Sequence, residues 1–123
     1  MRVLSILAVV ASLLMGGAGC GGYPAPTERL ATAEAAIRGA QELGATRLPR
    51  GALHLKLAQE HSAKAQQLME DGYNETAELA LRKAQADAEL AIALTKERVA
   101  TDRAKAAHAR LEQAKAAAGM PAH

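Results

Sequence analysis

The sequence contains no tryptophan, no phenylalanine and only two tyrosines, Tyr23 and Tyr73. Without large rings, a core must be filled by leucine, isoleucine and alanine. Such a core buries little apolar surface per residue, and at roughly 25 cal/mol per Å² it gives modest stability. A single cysteine, Cys20, excludes an intramolecular disulfide. Basic residues interleaved with stacking aromatics are missing, which argues against a nucleic-acid partner. No Cys-x-x-Cys or His-Glu-x-x-His occurs, so these common metal-ligand spacings are missing. Nor is there a Gly-x-Ser-x-Gly elbow or a glycine-rich phosphate loop.

What is present is mostly alanine, leucine, glutamine, glutamate, lysine and arginine from Thr27 onward. These are the six strongest helix formers apart from methionine. Acidic and basic residues alternate after Glu28, as on a solvated helix face, and the formal net charge is only +2. The expected fold is all-α: an antiparallel helical hairpin or three-helix up-down-up arrangement with a long Ala-rich C-terminal helix.

The first nineteen residues have the three-part layout of a secretion signal. Met1-Arg2 is a short positive region, Val3 to Met15 is apolar apart from Ser5 and Ser12, and Gly16-Gly17-Ala18-Gly19 is a run of small residues. The apolar run falls short of the roughly 20 residues that a membrane-spanning helix needs. Ala18-Gly19-Cys20 resembles a bacterial lipobox, although Gly17 stands where that motif prefers leucine. The resemblance implies cleavage before Cys20 and a diacylglycerol thioether on its sulfur, often with a further N-acyl chain. Each buried methylene contributes about 0.8 kcal/mol, so several chains make a permanent anchor. The Gly21 that follows implies the outer membrane, facing the periplasm. Ordinary cleavage after Ala18, leaving a free thiol, is the alternative at this junction.

Two glycines and two prolines between Gly21 and Pro26 suit a flexible tether. Thr27 is placed to cap a first helix over about Glu28 to Leu43, with Leu30, Ala33, Ile37, Ala40 and Gln41 near one face. Gly44 stops it. Pro49 fits the first position of a second helix reaching about Glu70, with a stripe of Leu53, Leu57, His61, Ala65 and Leu68. Asp71-Gly72 ends that helix. Asn74 is placed to cap a third helix. Its apolar face is Ala77, Leu81, Ala84, Ala88, Ala91 and Leu94 or Thr95, and no glycine or proline interrupts it before Ala118. The expected packing seam is therefore Leu30, Ile37, Leu53, Leu57, Leu68, Leu81 and Leu94. Helix two covers helix three only to about Arg98. The remainder is either an exposed Ala-rich helix or a surface that pairs with another chain. The expected organisation is a signal peptide over 1–19, lipidated Cys20 and tether over 20–26, a helical domain over 27–118 and a disordered tail over 119–123.

Gly72-Tyr73-Asn74-Glu75-Thr76-Ala77, with Leu81 and Ala84, resembles the turn and second helix of one tetratricopeptide unit. No second copy follows at that period, and a generic helical hairpin is the preferred reading. Ala36-Ile37, Gly44-Ala45, Pro49, Gly72-Tyr73 and the run Asp87-Ala88-Glu89-Leu90-Ala91 resemble the bacterial lipoproteins that carry the small helical domain of unknown function numbered 4398. That resemblance implies an envelope location. In some relatives the domain precedes an OmpA-like peptidoglycan-binding domain, which implies an envelope polymer as an alternative partner.

Chemistry-bearing clusters are few. His54 and His61 are seven apart and can share a helix face, but two helical turns separate them. His108 and His123 stand alone. Glu70 and Asp71 are adjacent at a helix end, whereas acid–base catalysis needs two carboxylates in different environments across a cleft. Asn74-Glu75-Thr76 matches the N-glycosylation acceptor pattern, and a helix start accounts for it better. The sequence thus favours a non-catalytic structural or interaction module of the cell envelope. It would be displayed from the membrane through Cys20, with an envelope protein or a second copy as partner, and with no metal, cofactor or small-molecule substrate. A polymer-binding module, using cations such as Lys64, Lys83 and Lys96, is the second reading, and an enzyme is the third.

Overall fold

The computed structural model describes residues 22–119. Within them, α1 spans Thr27–Glu42, a 3-10 turn spans Ala45–Arg47, α2 spans Pro49–Glu70 and α3 spans Asn74–Ala117. Residues 1–21, with the expected signal segment and Cys20, and residues 120–123 lie outside the described residues. Each boundary has a local cause. Gly44 takes φ +82 after α1, and its N–H donates to the Gln41 carbonyl at 2.9 Å. Pro49 opens α2, where a missing N–H costs nothing. α2 closes in a Schellman motif: Tyr73 N–H donates to Leu68 O at 2.8 Å, Gly72 N–H donates to Met69 O at 3.1 Å, and Gly72 takes φ +81.

The expected side-chain caps are not made. Pro26 and Tyr73 occupy the two N-cap positions, and Thr27 and Asn74 are already helical. Asn74 donates from Nδ2 to the Tyr23 carbonyl at 2.8 Å instead. This bond ties the segment ahead of α1 to the start of α3.

Two clusters fix the topology. Near the tether, Ala33 of α1, Ala65 of α2 and Ala77, Leu81 and Ala84 of α3 pack together. At the other end, Ile37 and Ala40 meet Leu55 and Ala58, with Ala88 and Ala91. Residue numbers rise together along α1 and α3 and fall along α2. The bundle is up-down-up, with α3 packed on both other helices. Nine of its twelve buried apolar residues are alanine, so the helix axes approach closely and little area is buried per residue.

That close approach explains where the expected seam departs from the structure. Leu81 and Ile37 are buried, and Leu30 and Leu68 pack partly buried against a cluster. Leu57 and Leu94 are half-buried. Leu53 is 54% exposed and is not a seam residue. The buried line of α2 is Gly51, Leu55, Ala58, Ser62 and Ala65. Leu53 lies two residues from Leu55, about 200° around the helix. Small side chains occupy the centre of contact because only they allow close packing, and the leucines flank it. For the same reason Thr95, not Leu94, ends the buried line of α3, with its hydroxyl donating to Ala91 O at 2.8 Å. Gln41, placed near the α1 face by spacing, is exposed, as is Leu43 just past the end of the helix.

Candidate functional site

The bundle stops where α1 ends and α2 begins, but α3 continues. Thr95 is its last buried residue. From Lys96 to Ala117 every residue except half-buried Lys115 is exposed. This overhang is about 33 Å long at 1.5 Å per residue, half of a helix about 65 Å long. It stays helical for two reasons. The bundle supplies the nucleus, so the unfavourable first turn is already formed. Alanine then propagates the helix at the lowest intrinsic cost. Arg98–Asp102 at 2.9 Å and Lys115–Glu112 at 3.1 Å add pairs along its surface.

Where α3 leaves the bundle, two open grooves flank it. One lies between Leu43 at the end of α1 and Lys96, Val99, Ala100 and Arg103. The other lies between Leu48, with Pro49 and Arg50 at the start of α2, and Leu94, Glu97, Arg98 and Thr101 on α3. Val99 and Leu111 are 42% and 50% exposed. From Lys96 to Lys115 the overhang holds six cations and three anions, and two of those anions are bound within the helix as above. The overhang therefore presents apolar groups beside unneutralised positive charge.

The bundle itself holds its polar groups in pairs. Glu78 is nearly buried, and its Oε1 accepts from Arg29 Nε and Arg82 Nε, each at 3.1 Å. Arg29 Nη1 also donates to Gln85 Oε1 at 3.4 Å, joining α1 to α3. Gln66 Nε2 donates to Glu34 Oε1 at 2.9 Å across α1 and α2. His54 and His61, noted in the sequence only for their spacing, both reach Asp87 on α3. His54 Nδ1 is 2.9 Å from Asp87 Oδ1 and His61 Nε2 is 3.6 Å from Oδ2. The carboxylate accepts from the His54 imidazole, with the His61 ring close by, and clips α2 to α3. Among the described residues no three His, Cys, Asp or Glu side chains are arranged to hold a metal ion. Glu70 and Asp71 are exposed at the α2–α3 turn, with Gly72 and Tyr73.

Sequence reasoning missed the pairings of Glu78 and Asp87. Glu78 falls one residue after Ala77 on the buried face, which is a signal that spacing alone could have supplied. Asp87 carried no such signal, because its partners lie on another helix. Cys20, the expected lipidation residue, lies outside the described residues. No helix among the described residues is long and apolar enough to cross a membrane.

No curated protein and no solved structure matches the chain. A family model matches residues 28–107, from the first turn of α1 to the middle of the overhang. The chain therefore belongs to the DUF4398 family, a domain of unknown function.

Proposed function

We propose that the protein is a non-catalytic cell-envelope lipoprotein whose bundle holds out a helical arm for contact with another macromolecule. The observation that carries this reading is the parallel course of α1 and α3. The tether enters at the Tyr23–Asn74 end, and the arm leaves the bundle at the opposite end. An anchor at Cys20 thus sets the arm pointing away from the membrane, with its tip about 65 Å beyond the start of α3. Tyr23 and Tyr73, the only aromatics, are both exposed at the tether end, as suits residues beside a headgroup layer. The open grooves and paired polar groups suit helix-against-helix contact better than chemistry.

Intact mass of the membrane-extracted protein tests the anchor. The expected result is an acylated Cys20 at the N-terminus, and loss of membrane association in Cys20→Ala. An unmodified Cys20 would sink this reading.

A second reading is favoured by the unneutralised cations of the arm: binding of peptidoglycan or another anionic envelope polymer. Cosedimentation with purified cell wall, lost on deleting residues from Thr101 onward, would support it. Absence of cosedimentation would remove it.

A further inference from the structure

The outer face of α3 carries a pattern that the bundle does not use. Ala100, Ala104, Ala107, Leu111 and Ala114 alternate by four and three residues, the spacing of a coiled-coil seam. Ala100 borders the groove beside Leu43, and from there the seam follows a face about 140° around the helix from the buried line that ends at Thr95, so beyond that groove it turns away from the bundle. All five residues are exposed. The same frame reaches back along the bundle to exposed Leu90, with Glu97 the one departure within it.

Charge decides what can cover it. Lys96, Arg103 and Arg110 follow one edge of the seam at intervals of seven, and His108 and Lys115 follow the other. The ion pairs of the overhang, Arg98–Asp102 and Lys115–Glu112, use none of the first three. A second copy in parallel would set Arg103 against His108 and Arg110 against Lys115. In antiparallel register it would set Arg103 against Arg110. Both arrangements place cations or an imidazole opposite cations, and of these only Lys115 has a carboxylate to answer it, that of Glu112 on its own helix. An anionic polymer would answer the charge but leave the apolar seam uncovered. A helix with its own small apolar seam and carboxylates at the flanking positions satisfies both.

Resting on the reading of the overhang as an interaction arm, the geometry points to an acidic amphipathic helix of another protein, docked along the outer face of α3 from Leu90 to Ala114. Its carboxylates lie along the row of Lys96, Arg103 and Arg110, and its small side chains meet Ala100, Ala104 and Ala107.

The test uses the chain from residue 20 to 123 with Cys20→Ala, and labelled helical peptides as probes. One peptide has an Ala/Leu seam flanked by glutamates, and a second has the same seam flanked by lysines. Binding is read by fluorescence anisotropy at low salt, beside polyglutamate and anionic phosphatidylglycerol vesicles. The expected result is that the glutamate peptide binds and the lysine peptide does not. Combining Lys96→Glu, Arg103→Glu and Arg110→Glu should weaken binding by about tenfold or more, as should Ala107→Asp alone. All these positions are exposed, so unchanged thermal unfolding shows that the variants fold. No binding of the glutamate peptide, or binding indifferent to either variant, overturns the proposal. So does polyglutamate or vesicle binding as tight as the peptide's and indifferent to Ala107→Asp. An acylated Cys20 together with any of these failures leaves the lipoprotein reading standing and removes only the acidic helix.

Discussion

Glycine-to-alanine substitution at two helical positions should have opposite effects. In a helix interior the change gains about 1 kcal/mol of propensity when nothing else moves. Gly39 meets that condition. A Cβ built there has Ile92 Cδ1 at 3.6 Å, an ordinary contact between α1 and α3. Gly39→Ala should therefore stabilise the bundle by about 0.5–1 kcal/mol. Gly51 does not meet it. A Cβ there would lie 2.7 Å from the backbone oxygen of Ala45. That oxygen already accepts from Leu48 N–H at 3.1 Å and closes the 3-10 turn, while Ala45 is itself fully buried. Neither backbone can yield without opening the turn or moving α2 off the cluster around Leu55. Strain of about 2–4 kcal/mol against a propensity gain of about 1 leaves Gly51→Ala destabilised by about 1–3 kcal/mol. Urea unfolding of the Cys20→Ala chain from residue 20, followed by far-UV circular dichroism, measures both. At the 4–8 °C per kcal/mol expected of a domain this size, the two midpoints should lie on either side of the parent in thermal scans as well. The reasoning is refuted if Gly51→Ala is as stable as the parent, or if both variants shift the same way.

Deleting residues from Thr101 onward removes no buried side chain, so bundle stability should change by less than about 0.5 kcal/mol while the helical signal falls by the length lost. A concurrent loss of cooperative unfolding would show that the overhang is part of the folding unit. Leu81→Ala, at a fully buried position, should cost about 2–5 kcal/mol, whereas Leu53→Ala should cost under about 0.5, by the same urea assay. Equal costs would place Leu53 back in the seam. Glu78→Ala should cost about 0.5–1.5 kcal/mol because it removes a nearly buried carboxylate bonded to two arginines that water can still reach, while Asp102→Ala, in an exposed pair, should cost under about 0.5. Ala84→Leu should cost about 1–3 kcal/mol or more by forcing α3 off its neighbours, and a stable, cooperative variant would contradict the close approach of the helices.

The helix boundaries were legible because their signals are covalent and local. Gly44, Pro49 and Gly72 each allow or forbid particular backbone angles whatever lies elsewhere in the fold. The caps were less legible, since Thr27 and Asn74 are good cap residues that the helices take in as their first residues, and Asn74 bonds the Tyr23 carbonyl instead. The phase of α2 was misread for a physical reason. Leucine marks an apolar face when helices are held apart by large side chains, and here the contact line is alanine, serine and glycine. Leu53 and Leu57 then describe the flank of the face. The polar clips were illegible for a further reason: Arg29–Glu78 and His54–Asp87 join residues 49 and 33 positions apart, and only the packing brings them together.

Alanine also explains why the candidate site could not be read from composition. It serves two opposite faces of α3. On the inner face Ala77, Ala84, Ala88 and Ala91 are fully buried and let three helices close up on one another. On the outer face Ala100, Ala104 and Ala107 are exposed, and nothing among the described residues covers them. A hydropathy scale scores both sets alike, and helix propensity favours both alike. What separates them is the neighbour on either side. Beside inner Ala77, Glu78 is answered within the bundle by Arg29 and Arg82. The outer ones are flanked by Lys96, Arg103 and Arg110, whose charges the overhang's own carboxylates leave unanswered. On the proposed reading of the arm, a thin bundle need only nucleate α3 and set its direction, and the half of that helix which contributes nothing to the core is the half offered to a partner.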